Sequence, residues 1–404
     1  ITGANVAVTD TNAIILGAST ISGTYDVTTG GEITDSGVLT ITGATTFTVA
    51  NGQNIILDQS GNAFSSTVTM EAADDGSAAF GNITFRDSGA VRLNSSAASP
   101  GDLYINASTD GVVGGDLSII AAGNITQNIA LNITGTTTLV AGSSNNITLD
   151  NTSNNFQDAV KITSGNNVTL VDAGAIDLGA STVSGTYAVT ATAGGDITDS
   201  GVLAITGGAT FTVANGRSIT LDQSSTFSST VTFVASSGTI AAVMINDSNA
   251  FDLKALTTTG NLTVTAGGEI TDSGDLSIGG ITTLAAGSGN NITLNRAGNN
   301  FQAAVKITSG NNVILVDAGA IDLGASTVSG TYAVTATASG DITDSGVLAI
   351  TGGATFTVAN GRSITLDQSS TFSSTVTFVA SAGTIAAVTI NDSNAFDIKA
   401  LTTT

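Results

Sequence analysis

Short runs of alternating hydrophobic and polar residues follow one another along the whole chain. The runs are three to six residues long, as in ITL at 292–294, and this period of two is typical of β-strands. Gly, Asn, Asp and Ser stand between the runs, and they favour sharp corners because several of them tolerate a positive φ. Three strands of about four residues and three corners need roughly 20 residues, the size of a triangular coil of a parallel β-solenoid.

The sequence also repeats almost verbatim. Residues 196–233 recur unchanged at 341–378, and Gly179 corresponds to Gly324, which gives a period of 145 residues. The period divides into five pieces of 21 residues and two of 20. We therefore predict an all-β parallel β-solenoid with about 20–21 residues per coil and seven coils per 145-residue block. Gly179 and Gly324 should occupy equivalent corners.

The block pattern predicts one continuous solenoid without linkers. Residues 1–145 form a diverged block, 146–290 a second block, and 291–404 a partial copy of it. Between Val68 and Asn146 the first block holds 18 residues more than the matching stretch from Val231 to Asn291, close to one extra coil. Any individually tailored feature is expected at 74–120, which includes the only proline, Pro100.

Differences between the copies indicate which side chains face inward. Five of 98 aligned positions differ, namely Thr169/Ile314, Gly194/Ser339, Ser237/Ala382, Met244/Thr389 and Leu253/Ile398. The Thr/Ile and Met/Thr exchanges lie between apolar neighbours and are expected to face solvent, whereas Leu253/Ile398 suits the core. Large rings should also lie mostly in the core, since they supply much of the burial. The rings concerned are Phe211, Phe233, Phe251, Phe356, Phe378 and Phe396.

The amino-acid composition argues against several classes of function. The net charge of −22, from 31 acidic and 9 basic residues, opposes binding to nucleic acid. The chain has no His and no Cys, which excludes catalytic triads, zinc sites and thiol chemistry. No apolar stretch approaches the ~18 residues of a membrane helix, so the chain is not expected to span a membrane.

Paired carboxylates are the candidates for chemistry. They are Asp196 with Asp199, Asp341 with Asp344, Glu32 with Asp35, and Glu269 with Asp272. Such pairs could act as a general acid and base, bind calcium, or form Asx-type corners. Their recurrence favours the corner, because a catalytic pair is needed only once. We therefore predict no catalytic, cofactor-binding or metal site and no cofactor, with calcium as the alternative.

Two further patterns have a structural and a functional interpretation. Asn-x-Thr or Asn-x-Ser triplets fit glycosylation, but corner asparagines before Thr-rich strands produce them as well. They begin at Asn82, Asn106, Asn124, Asn132, Asn146, Asn167, Asn261 and Asn291. Thr-x-Thr pairs such as Thr355 and Thr357 could bind ice or simply line outward strand faces. Lys161, Lys254, Arg217 and their copies read as solvated positions.

The phrases ITSGNNVTLVDAGAIDLGASTVSGT, GGDITDSGVLAITG and NITLNRAGNNFQAAVKI resemble the β-strand repeats of filamentous-haemagglutinin-like adhesins. The resemblance covers the chain least well at 74–120. It implies a right-handed β-helix, exposure at the bacterial cell surface, and a role in adhesion or as a fibrous shaft. The expected function is thus a non-catalytic structural rod of a giant secreted adhesin or extracellular fibre. A polysaccharide-binding or polysaccharide-active solenoid is the alternative, and an ice-binding face comes third.

Both ends of the sequence match the interior of a repeat, which suggests a segment of a longer array. The expected partners are further coils of the same chain or copies stacked head to tail, because uncapped terminal coils present strand edges. Host or surface glycans are a further expectation.

Overall fold

The computed structural model describes residues 1–73, 79–93, 101–106, 112–338, 340–395, 397–399 and 401, and for residues 106 and 112 the backbone alone. All regular structure in these residues is β-strand. The chain folds into two compact units, Ile1–Thr212 and Val213–Thr404.

Among the described residues 29 strands begin in the first unit, and the last of them ends at Val213, one residue past its boundary. They are β1 (Thr2–Gly3), β2 (Val6–Asp10), β3 (Ile14–Leu16), β4 (Ser19–Ile21), β5 (Tyr25–Thr29), β6 (Ile33–Asp35), β7 (Leu39–Ile41), β8 (Thr45–Val49), β9 (Ile55–Leu57), β10 (Ala63–Phe64), β11 (Val68–Ala72), β12 (Ile83–Asp87), β13 (Val91–Leu93), β14 (Asp102–Asn106), β15 (Val112–Val113), β16 (Leu117–Ala121), β17 (Ile125–Gln127), β18 (Asn132–Ile133), β19 (Thr137–Val140), β20 (Ile147–Leu149), β21 (Asn155–Phe156), β22 (Val160–Ser164), β23 (Val168–Asp172), β24 (Ile176–Leu178), β25 (Ser181–Val183), β26 (Tyr187–Ala191), β27 (Ile197–Asp199), β28 (Leu203–Ile205) and β29 (Ala209–Val213).

The second unit contains the remaining described strands. They are β30 (Ile219–Phe227), β31 (Val231–Ala235), β32 (Val243–Asp247), β33 (Phe251–Leu253), β34 (Leu256–Thr258), β35 (Leu262–Ala266), β36 (Ile270–Asp272), β37 (Leu276–Ile278), β38 (Thr282–Ala285), β39 (Ile292–Leu294), β40 (Asn300–Phe301), β41 (Val305–Ser309), β42 (Val313–Asp317), β43 (Ile321–Leu323), β44 (Ser326–Val328), β45 (Tyr332–Ala336), β46 (Ile342–Asp344), β47 (Leu348–Ile350), β48 (Ala354–Val358), β49 (Ser363–Phe372), β50 (Val376–Ala380) and β51 (Ala387–Asp392).

Three successive strands make one coil. β2, β3 and β4 lie on three different faces, and they pair in parallel with β5, β6 and β7 of the next coil. In these pairings Val6 lies opposite Tyr25, and Ile14 lies opposite Ile33. The predicted triangular coil of a parallel β-solenoid is thus confirmed.

The predicted number of coils per block is confirmed within the second unit. Val243 and Val388 are one period apart, and seven successive strand pairings lead from β32 through β35, β38, β41, β43, β46 and β49 to β51. Individual coils are unequal, because paired residues are 19 apart for Val243 and Leu262 but 24 apart for Ile219 and Val243. Corners of different length cause this variation.

Side chains alternate between core and solvent as predicted. Thr/Ile and Met/Thr exchanges face outward, since Ile314 is 39% and Met244 38% exposed. Of the six rings expected inside, five are buried, and Phe396 lies outside the described residues. In the second unit Tyr332, Phe356 and Phe378 form a column of rings with centroids 6.1 and 6.0 Å apart. Leu253 is buried, but Ile398 is 44% exposed.

The diverged segment of the first unit adds a strand to one face. β14 comes after β13 in the sequence but lies between β11 and β13, paired in parallel with both. On a second face β12 pairs directly with β16, without a strand between them. Among the described residues the added segment therefore contributes to one face, where its length suggested a whole coil.

Candidate functional site

The two carboxylates of each predicted pair do not form one site, as Asp341 and Asp344 show. Asp344 ends β46 and shares the inward face with Ile342, whereas Asp341 precedes the strand. Asp341 accepts the backbone N–H of Ser363 at 2.8 Å, and Asp344 accepts that of Asp367 at 2.8 Å. Because positions three apart on a strand face opposite sides, the two carboxylates do not share a proton. They act as separate corner acceptors.

A similar aspartate in another coil of the second unit has more partners. Asp272 accepts the backbone N–H of Asn295 at 3.0 Å and the Asn299 side-chain amide at 2.6 Å. Asn299 in turn accepts the backbone N–H of Leu276 at 2.9 Å, so one amide locks two coils together. Asp35 and Asn62 make the same arrangement in the first unit. Each carboxylate oxygen of Asp272 thus accepts an N–H, one from Asn295 and the other from Asn299.

Asp344 has no asparagine partner equivalent to Asn299. The corner from Leu294 to Phe301 is one residue longer than the corner from Leu366 to Phe372, and the shorter one runs straight as the single strand β49. Ser370 takes the place of the asparagine and accepts the N–H of Leu348, but it does not reach Asp344. One carboxylate oxygen of Asp344 is buried without a hydrogen-bond partner. Burial therefore raises the pKa of Asp344.

A second set of corner aspartates was not found from the sequence. Each accepts the N–H of the residue two positions later and the N–H of a phenylalanine in the preceding coil. For Asp317 these are Gly319 at 2.5 Å and Phe301 at 2.7 Å. Burial raises the pKa of Asp317, and the two hydrogen bonds lower it only partly. The set is Asp87, Asp172, Asp247, Asp317 and Asp392.

The glycine of each Asp-Ser-Gly corner is required by close stacking. A Cβ on Gly201 would lie 2.0 Å from the backbone nitrogen of Ala180 in the preceding coil, and one on Gly346 would lie 2.1 Å from that of Ala325. The sequence-based explanation, a positive φ, applies to a different set that includes Gly52 and Gly216. Gly179 and Gly324 do occupy equivalent corners, since their N–H groups donate to Val160 and Val305.

Corner asparagines of the Asn-x-Thr triplets join neighbouring coils. The side-chain oxygen of Asn124 accepts the N–H of Asn146, that of Asn146 the N–H of Asn167, and that of Asn167 the N–H of Thr186, at 2.8–3.1 Å. Asn82, Asn261 and Asn291 make the same bond. Asn132 instead accepts side-chain amides, and the side chain of Asn106 lies outside the described residues. These contacts give the triplets a structural role.

Charged side chains are few and mostly exposed. Lys254 contacts Asp252 at 2.7 Å and Ser273 at 2.9 Å. Burial raises the pKa of Asp252, but these hydrogen bonds outweigh it and the pKa is lowered. Thr355 and Thr357 lie on the outward face of β48. In the part of the chain that the structure describes, no group of three acidic side chains could hold a metal ion.

Stacked three-stranded coils, with side-chain hydrogen bonds at each corner, define a repeat protein of the parallel β-solenoid class. The chain belongs to the family described as Repeats of unknown function (DUF5649), which matches residues 3–71, 106–163, 165–234, 240–308 and 310–379. The match omits 72–105, which includes β12, β13 and most of β14. No curated protein and no solved structure matches the chain. Among the described residues no helix has the length and apolar character to cross a membrane.

Proposed function

We propose that the chain is a non-catalytic structural segment of a large extracellular bacterial surface protein or fibre. The observation that carries this proposal is the repetition of local geometry together with sequence. Asp172 and Asp317, one period apart, both accept a phenylalanine N–H at 2.7 Å. A repeat in which each corner binds the next coil adds length without adding a new site.

Adhesion is the finer part of the proposal. It rests on the resemblance to filamentous-haemagglutinin-like repeats and on the acidic, Thr-rich outward faces. Exposed hydroxyl and carboxylate groups suit hydrogen bonding to surface glycans, so glycans are the proposed ligands. Retention of labelled chain on a glycan array would support this role, and the absence of saturable binding to any glycan would oppose it.

Removal of one period tests the structural proposal. Deletion of residues 146–290 joins Asn145 to Asn291 and recreates the corner sequence Asn-Asn-Ile. The shortened chain should fold, and its maximum dimension in small-angle X-ray scattering should fall by about 34 Å, because seven coils are lost at ~4.8 Å each. A deletion of residues 146–279, which breaks the period, is the matched control and should not fold. An unchanged dimension after the first deletion would contradict the proposal.

The proposal also includes independence from metal. Corner carboxylates such as Asp272 already accept N–H donors. Thermal unfolding should therefore be the same in millimolar calcium and in EDTA. A midpoint raised by calcium would show a bound ion.

A further inference from the structure

The dipeptide Asn-Gly occurs three times in the chain, each time at the same corner of the solenoid. The asparagines are Asn51, Asn215 and Asn360, which follow the strands β8, β29 and β48 in the sequence Val-Ala-Asn-Gly. The glycine after each asparagine has a positive φ, of 74°, 72° and 70° respectively. Asn-Gly is prone to spontaneous deamidation, because glycine has no side chain that would hinder attack by its own main-chain nitrogen.

Deamidation at this corner would consume the side-chain amide of the asparagine in two steps. The main-chain nitrogen of Gly216 attacks the Cγ of Asn215, a C–N bond forms as this nitrogen loses its proton, and the side-chain nitrogen leaves as ammonia. Water then opens the succinimide ring at one of its two carbonyl carbons, which gives aspartate or isoaspartate. Water is the only co-reactant, and both Asn215 and Gly216 are exposed to it.

One residue of the following coil holds both reacting groups. The main-chain oxygen of Thr239 accepts the N–H of Gly216 at 2.8 Å. The N–H of Thr239 donates to the side-chain oxygen of Asn215 at 3.0 Å. Because the nitrogen of Gly216 must lose its proton and turn towards Cγ to react, the two hydrogen bonds oppose the reaction while the coils are stacked.

The same double contact recurs at the other two Asn-Gly corners. Ala79 makes both hydrogen bonds to Asn51 and its glycine, at 3.0 and 2.9 Å. Thr384 makes them to Asn360 and its glycine, at 3.0 and 2.8 Å. Since only main-chain atoms of the following coil take part, the contact does not depend on whether that residue is alanine or threonine. It depends on the following coil being in place.

We propose that Asn51, Asn215 and Asn360 are latent modification sites, which deamidate when the following coil opens and are protected while it is stacked. Single coils of a solenoid can open without unfolding of the whole chain. Aspartate keeps the oxygen that accepts the N–H of Thr239, whereas isoaspartate adds a carbon to the main chain and moves the corner out of register. Deamidation therefore leaves a permanent chemical record of the coils that have opened.

Two glycines make it possible to expose one site at a time. A Cβ on Gly238 would lie 2.1 Å from the side-chain oxygen of Asn215, and one on Gly383 would lie 2.0 Å from that of Asn360. Both glycines also have a positive φ, of 64° and 69°. Alanine at either position should therefore push the neighbouring asparagine amide out of its contact with the following coil.

Peptide mass spectrometry of the full chain, incubated at mildly alkaline pH, tests the proposal. Samples taken over time give the deamidation rate of each Asn-Gly in the folded chain and in concentrated urea. We expect similar rates at the three sites in urea, and rates at least about tenfold lower in the folded chain, because two hydrogen bonds must first open. Rates in the folded chain that equal or exceed those in urea would overturn the proposal.

Gly238→Ala and Gly383→Ala form a reciprocal pair, in which the unaltered sites of the same molecule are internal controls. In folded Gly238→Ala the rate at Asn215 should rise at least about threefold, while Asn51 and Asn360 keep the rates of the unaltered chain. Gly383→Ala should raise the rate at Asn360 alone. An unchanged rate at Asn215 in Gly238→Ala, or a rise at all three sites in either variant, contradicts protection by individual coils.

Refolding separates the two products. The chain is partly deamidated in urea and then diluted into buffer, and fragmentation spectra distinguish aspartate from isoaspartate at position 215. The refolded fraction should retain the molecules with aspartate and be depleted of those with isoaspartate. Equal recovery of both would show that the corner accepts a longer main chain, and would overturn the claim that deamidation marks opened coils permanently.

Discussion

Gly201 and Gly17 differ in the room that neighbouring atoms leave beside the α-carbon. A Cβ on Gly201 would clash with backbone at 2.0 Å, whereas one on Gly17 would meet nothing within 4 Å. Gly201→Ala should lower the free energy of unfolding by about 1–3 kcal/mol because two coils must separate. Gly17→Ala should be neutral or raise it by ~0.5 kcal/mol, since only the unfolded chain loses freedom. Urea unfolding of both variants provides the comparison, and equal effects would contradict the stacking explanation.

Asp272 and Asp344 occupy similar Asp-Ser-Gly corners of different coils, and their different partners predict opposite sensitivity to loss of charge. Asp272→Asn turns an amide towards the Asn299 amide and should cost about 1–3 kcal/mol. Asp344→Asn keeps its bond from Asp367 and removes a buried charge, so stability at neutral pH should be unchanged or slightly higher. Thermal unfolding of the two single variants tests this contrast. A larger loss for Asp344→Asn would show that its buried oxygen is satisfied after all.

The residue scale is where the sequence predicted least. Asp-Ser-Gly was correctly interpreted as a corner, but the partners of Asp344 are in the following coil and not in its own turn. The bond from Phe301 to Asp317 was not predicted, because the two residues are 16 apart and meet only through the coil register. A single sequence does not display this register at unequal corners.

At the scale of elements, β14 is joined to β13 by an ion pair whose aspartate is buried and whose arginine is partly exposed. The side chain of Asp102 is fully buried, and Arg92 lies 2.5 Å from it. Arg92→Ala should destabilise the first unit by about 1–3 kcal/mol, because the buried carboxylate of Asp102 loses a charged donor, although the arginine itself is partly exposed to water. Arg296→Ala is the control, since its pair with Asp275 is about half exposed and should be worth at most ~1 kcal/mol. Denaturant titration distinguishes the two, and a small loss for Arg92→Ala would mean that β14 is held by packing alone.

The number of strands and coils was predicted better than the lengths of the individual coils. Alternation and the 145-residue period gave three strands per coil and seven coils per block. The division into nearly equal pieces was too regular, because the corner before Phe372 is short and lets β49 run through it. The position of β14 between β11 and β13 was not predictable from the length of the added segment. Eighteen residues are enough for a whole coil, and equally for a single strand with two connections.

At the scale of the whole molecule, buried aspartates make stability depend on pH. Burial raises the pKa of Asp87, Asp172, Asp247, Asp317 and Asp344 above the ordinary value of 3.8. The folded state therefore binds protons more tightly than the unfolded state, and stability rises as pH falls from neutral towards 3.8. Reduced repulsion among 31 acidic groups adds to this rise.

Differential scanning calorimetry between pH 8 and the ordinary carboxyl range should thus show a rising unfolding temperature. Below that range the trend should reverse, because Asp252, whose pKa is lowered, then becomes protonated and loses its contact with Lys254. An unfolding temperature that falls steadily from neutral pH downward would contradict the assignment of raised pKa values.

The parallel pairing of each strand with the next coil has a mechanical consequence. Hydrogen bonds between coils run along the stacking direction, so a pulling force in that direction stretches them one rung at a time instead of shearing a whole strand at once. A chain stretched from its ends should yield at low force in small events of similar but not identical size. Each event should release one coil of about 20 residues, or roughly 70 Å of extended chain at ~3.4 Å per residue. Such a material dissipates load gradually.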